Sequence, residues 1–181
     1  RNQQGFHREM YDSDKNPLLN YTPDEAAKIE YQIRKERESV KSEMDATRTE
    51  FELEIEQVKA ENDASKRDEK ISSLKKKLDD ELQRAKDMIS KAKKMKEESD
   101  MIRKEYEKKV VELETLTKVV EDTGDAGVQE NLNQMIKLTD EYGITFTELR
   151  VESNKINDLA KIITQSVLDM KKYMDTQLPS T

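Results

Sequence analysis

Apolar residues recur along this chain at helical spacing, in three blocks separated by polar stretches. The first block runs Ile29, Ile33, Val40, Met44, Thr47, Phe51, Ile55, Val58. Its steps are close to 4-3-4, an eleven-residue repeat, with Glu36 and Asn62 filling two slots poorly. Eleven residues in three turns is about 3.67 per turn, which predicts a straight or slightly right-handed pairing seam. Residues 60–70 (AENDASKRDEK) are nearly all polar and interrupt that seam.

A heptad pattern begins at Ile71. Its a positions are Ile71, Leu78, Ala85, Ala92, Ser99, Tyr106, Leu113 and Val120. Its d positions are Leu74, Glu81, Met88, Met95, Ile102, Lys109 and Leu116, of which Glu81 and Lys109 are defects. The third block holds a 4-3 alternation through Val128, Leu132, Met135, Thr139, Tyr142, Phe146, Leu149, Ser153, Ile156, Ala160, Ile163, Val167, Met170 and Met174. Gly143 falls off this seam, at a helix cost of about 1 kcal/mol relative to Ala.

Breakers and caps divide the pattern into elements. Residues 24–123 contain neither glycine nor proline, which predicts one helix over 23–122. At about 1.5 Å per residue, such a helix would span roughly 150 Å. Its start is marked by Thr22 as N-cap, Pro23 at the first helical position and Glu25 closing a capping box. Asp24 suits the positive end of the helix dipole. Residues 123–127 (TGDAG) predict a turn in which Gly124 and Gly127 are both free to take positive φ. A return helix follows over 128–177, and residues 1–22 form an irregular N-terminal arm.

The two heptad blocks mirror each other about this turn. Folding back would set Val120 on Val128, Leu116 on Leu132, Leu113 on Met135, and so on to Leu74 on Met174. Small Ser99, Ala92 and Ala85 would face large Leu149, Ile156 and Ile163. Ser153 and Ala160 would face Met95 and Met88, Tyr106 would meet Tyr142, and Ile102 would meet Phe146. Alternating large and small residues is how two helices reach native packing density. A parallel dimer running straight through would instead stack Ala85 on Ala85 and Ser99 on Ser99, leaving gaps.

The expected fold is therefore all-α, a long coiled-coil helix whose second half packs antiparallel against residues 128–177. In this reading residues 24–65 have no partner within the chain. Leu82, Ile89, Val110, Val111, Ile136, Leu138, Leu159 and Ile162 lie off the seam and would face water in an isolated hairpin. Both features predict assembly into a dimer or four-helix bundle, with a second copy or another coiled-coil protein.

Composition narrows the chemistry. Of 181 residues, 40% are charged, 33% hydrophobic and 5% aromatic, too few apolar residues for an ordinary compact core. The net charge of −7 gives no general reason to expect nucleic acid. There is no cysteine, no nucleotide-binding glycine motif and a single histidine, His7, so neither a metal site nor a His-based catalytic pair is expected. Methionines spread along the seams read as adaptable packing. No enzyme, cofactor, small-molecule ligand or membrane span is expected, and a cytoplasmic location is. Local excess charge offers an alternative. Residues 66–109 carry sixteen Lys/Arg against eleven Asp/Glu, a surface that could dock on a membrane or microtubule. The terminal Leu178-Pro179-Ser180-Thr181 resembles the remnant left by sortase cleavage, so a bacterial cell-surface coiled coil is a minor alternative. The leading expectation is a non-enzymatic oligomerisation and spacing module of a cytoskeletal, motor-stalk or scaffold protein.

Overall fold

The computed structural model of the chain describes residues 21–178, and all its regular structure is helical. Helix α1 spans Pro23–Ala60, α2 spans Ala64–Thr123 and α3 spans Ala126–Gln177. The expected arm over 1–22 lies outside the described residues except for Tyr21 and Thr22, as do Pro179, Ser180 and Thr181.

Local chemistry accounts for each boundary. Thr22 Oγ1 accepts the Glu25 amide at 3.2 Å, satisfying one orphan donor at the start of α1. The second boundary corrects the sequence reading, because the helix expected over 23–122 is two helices meeting at Glu61–Asp63. Asp63 makes the new start. Its Oδ1 accepts the amides of Ser65 at 2.9 Å and Lys66 at 3.3 Å, which gives the backbone an alternative to continuing the helix. The Glu61 carbonyl, freed at the end of α1, takes two donors from the Arg67 guanidinium at 3.2 and 3.0 Å. A bend thus forms without glycine or proline.

At the third boundary Gly124 sits at φ 61°, the left-handed C-terminal stop that only glycine adopts cheaply. Asp125 then caps α3 through the amides of Gly127 at 2.7 Å and Val128 at 3.3 Å. Of the two glycines free to take positive φ, one uses that freedom. Gly127 lies inside α3, and Gly124 alone among the described residues has positive φ.

Packing separates two compact units. One comprises residues 30–91 and 155–178 and contains three helical segments. The other comprises residues 21–29 and 92–154, where α2 and α3 fold back on each other as a helical hairpin.

Candidate functional site

The surfaces that join the helices gather the buried side chains of the described residues. In the three-segment unit, α1 contributes Met44, Phe51, Ile55 and Val58, all 4% exposed or less. They share one core with Leu74, Leu78 and Ala85 of α2 and with Ile163, Val167, Met170 and Met174 of α3. Val40, Ile71, Leu82 and Met88 pack at its edge. The expectation that residues 24–65 lack an intrachain partner is therefore corrected. The eleven-residue stripe of α1 finds its partner in the groove between α2 and α3.

Ion pairs flank this stripe on both sides. Toward α2, Glu61 meets Lys70 at 3.1 Å, Glu54 meets Lys77, and Glu43 meets Arg84 at 2.9 Å. Lys70, Lys77 and Arg84 are spaced seven apart, so they form one row on α2. Their partners descend along α1 as they ascend, which fixes the two helices antiparallel. Toward α3, Glu36 meets Lys155 at 3.3 Å, Arg37 meets Asp158, and Lys59 donates to Gln177 at 2.6 Å. Here the numbers rise together, so α1 and α3 run parallel. Exposed pairs of this kind are worth about 0–1 kcal/mol each, and they set direction and register more than stability.

The Glu61 carboxylate is held below the usual carboxylate range, chiefly by the Asp63 amide it accepts and then by Lys70. The Arg84 guanidinium is held above its ordinary value, mainly by its hydrogen bond to Glu43.

In the hairpin unit two serines lock the register from opposite sides. Ser153 Oγ on α3 donates to the Ala92 carbonyl on α2 at 2.8 Å. Ser99 Oγ on α2 donates to the Phe146 carbonyl on α3 at 3.3 Å. The sequence pairs Ser99 with Leu149 and Ser153 with Met95; the hydrogen bonds go to carbonyls three residues earlier, at Phe146 and Ala92. Both serines are fully buried, and a hydroxyl there needs such a partner. Tyr142 packs on buried Tyr106 with Val110. Tyr21 belongs to the same unit. Burial, then the carboxylates of Glu148 and Glu25, push its phenol up to about 12.

The other expected core positions distribute as follows. Leu113, Leu132, Ile156 and Ala160 are buried. Ile29, Ile33, Met95, Ile102, Leu116, Val120, Val128, Met135 and Leu149 are half-buried. Among the residues expected to face water, Leu159 is buried, while Ile89, Val111 and Leu138 remain exposed at 47%, 62% and 37%. Leu82, Val110, Ile136 and Ile162 are half-buried.

Openings interrupt the three-segment surface, two of them beside the α1 stripe. An open groove of about 710 Å³ is floored by Met44, Ile89 and Ile162 and rimmed by Lys41, Arg48 and Lys161. A gap of about 240 Å³ lies where Phe51, Leu78 and Met170 meet beside Glu54 and Lys77. Among the described residues no three His, Cys, Asp or Glu side chains gather in a metal-holding group. No described helix is long and apolar enough to cross a membrane.

The docking of α1 and its corner are what sequence reasoning missed. The signal was present in Asn62-Asp63 ahead of Ser65, a capping pattern inside the polar 60–70 stretch. Comparison with known proteins adds no assignment: no family model, curated protein or solved structure matches this chain.

Proposed function

We propose that this chain is a non-enzymatic helical module that mediates oligomerisation and spacing within a cytoskeletal, motor-stalk or scaffold assembly, pairing through coiled-coil-like seams. The observation that carries the reading is the α1 face. It is an amphipathic stripe bordered by two directional rows of charge, and it recognises a groove between two helices. The same rows weigh against the acidic-surface alternative. Lys70, Lys77 and Arg84 belong to the basic stretch, and each is already matched by a carboxylate of α1.

Salt separates the two readings. Seam-driven association should persist from low to physiological ionic strength, whereas docking through lysines should weaken steeply. Light scattering across protein concentration, run beside co-sedimentation with anionic vesicles and with microtubules, makes the test. Salt-insensitive self-association without co-sedimentation supports the proposal. A chain that stays monomeric and co-sediments only at low salt would replace it with peripheral docking.

A further inference from the structure

We propose that the Glu61–Asp63 corner is a hinge through which two copies of this chain exchange α1. In the exchanged dimer α1 and α2 continue as one helix, and each α1 docks in the α2–α3 groove of the other copy. This deepens the oligomerisation proposed above by naming its partner, a second copy, and its surface.

The corner is built only from residues that tolerate a helix. It contains no glycine and no proline, and no described non-glycine residue has positive φ. The bend is held by polar contacts, most of them exposed: the Asp63 cap, Arg67 on the Glu61 carbonyl, and the Asp63 amide with the part-buried Lys70 on the Glu61 carboxylate. Straightening the corner breaks these and makes backbone hydrogen bonds of the continuous helix instead. Each arrangement satisfies the backbone at the corner in its own way, so either can accompany a docked α1.

That docking is indifferent to which copy supplies the helix. Met44, Phe51, Ile55 and Val58 cannot be left in water, and the surface shaped for them is the groove they vacate. Charge repeats the argument. Glu36, Glu43 and Glu54 match Lys155, Arg84 and Lys77, and the same pairs re-form between chains. Exchange of an identical element is a low-cost route to a dimer. The closed monomer is favoured by effective concentration, so the dimer grows with protein concentration.

Engineered thiols read the exchange cleanly, because the full chain has no cysteine. Glu54→Cys and Lys77→Cys are made as separate chains, mixed at high concentration and treated with a short bis-maleimide. Asp63→Ala removes the cap from both copies and should lower the dimerisation midpoint at least about tenfold. Asn62→Ala should lower it in the same direction while keeping the cap, should Asp63→Ala fold poorly. Ala64→Pro fits the first position of α2 but clashes with the carbonyl four residues earlier in a continuous helix, and it should abolish the dimer. Crosslinking of 54 on one chain to 77 on the other, raised by Asp63→Ala and lost in Ala64→Pro, supports the exchange. A dimer without that crosslink, or one that Ala64→Pro leaves intact, overturns it and leaves the proposed oligomerisation standing. Absence of any dimer in all of these chains overturns both.

Discussion

Replacing Phe51 by alanine isolates the contribution of α1 to the fold. Phe51 is 4% exposed and meets Leu78 of α2 and Met170 of α3 across a gap of about 240 Å³. Truncating a buried phenylalanine costs about 3–5 kcal/mol, from lost transfer free energy and the cavity left behind. The existing gap means the ring already lacks some neighbours, so the lower end, about 3 kcal/mol, is expected here. For a chain of this size that shifts the thermal midpoint by roughly 6–12 °C. The measurement is urea unfolding followed by far-UV circular dichroism, in dilute solution where the chain is monomeric. Leu53→Ala is the control: Leu53 is 61% exposed on the same helix, and its truncation should stay within about 0.5 kcal/mol. A double-mutant cycle with Met170→Ala should give a coupling of at least about 0.5 kcal/mol, because the two side chains border one space. Equal, near-zero effects of Phe51→Ala and Leu53→Ala would refute the docking of α1.

Ser153→Ala should cost about 1 kcal/mol by removing the hydroxyl held by the Ala92 carbonyl, and Ser153→Leu more, because it forces a large side chain against that backbone; unfolding curves of the two variants check the order. Gly124→Ala should destabilise by about 1–2 kcal/mol although nothing lies within 4 Å, because φ 61° is strained for any side chain; calorimetry should show Gly127→Ala far milder, its added Cβ meeting only the movable Asp125 carboxylate at 3.2 Å. Glu61 has a depressed folded pKa, so its contribution is present above the unfolded value and lost as pH falls through the folded one; Glu61→Gln should flatten the acid limb of a stability–pH profile. Tyr21 has a raised folded pKa, so its contribution is present below the unfolded value near 10 and lost as pH rises toward about 12; in an alkaline absorbance titration, Tyr21→Phe should remove one tyrosine transition near 12.

The hairpin of α2 and α3 was legible because two independent signals agreed on it. Heptad spacing implied an inward stripe on each helix, and the mirror relation about the turn implied that the chain folds back there. The serines at 99 and 153 entered that reading as small residues allowing close approach. Their hydroxyl bonds to facing carbonyls could not be read from spacing, since they depend on how near the two backbones come. The α1 stripe was equally legible, and its positions from Val40 to Val58 are buried or half-buried. Its partner was not. Absence of glycine and proline predicts continuity of the helix, yet the Asp63 side chain competes for the Ser65 and Lys66 amides and caps a new one. Such a cap is worth only about 1 kcal/mol, too little to decide the matter alone. Burial of four large side chains on α1 tips the balance, and that term is visible only once α2 and α3 have formed their groove. The eleven-residue period itself is a hint in retrospect: it departs from the heptads it would have had to follow in a straight dimer.

The reversal of the chain at Glu61–Asp63 is most directly tested by a distance between Glu43 and Arg84. Spin labels at the two positions, in a chain diluted with an excess of unlabelled protein at monomeric concentration, should report a short separation, because the native side chains touch at 2.9 Å. A continuous helix would hold the two residues roughly 60 Å apart, from about 1.5 Å of rise per residue. A narrow distribution at that long distance in the monomer would contradict the account.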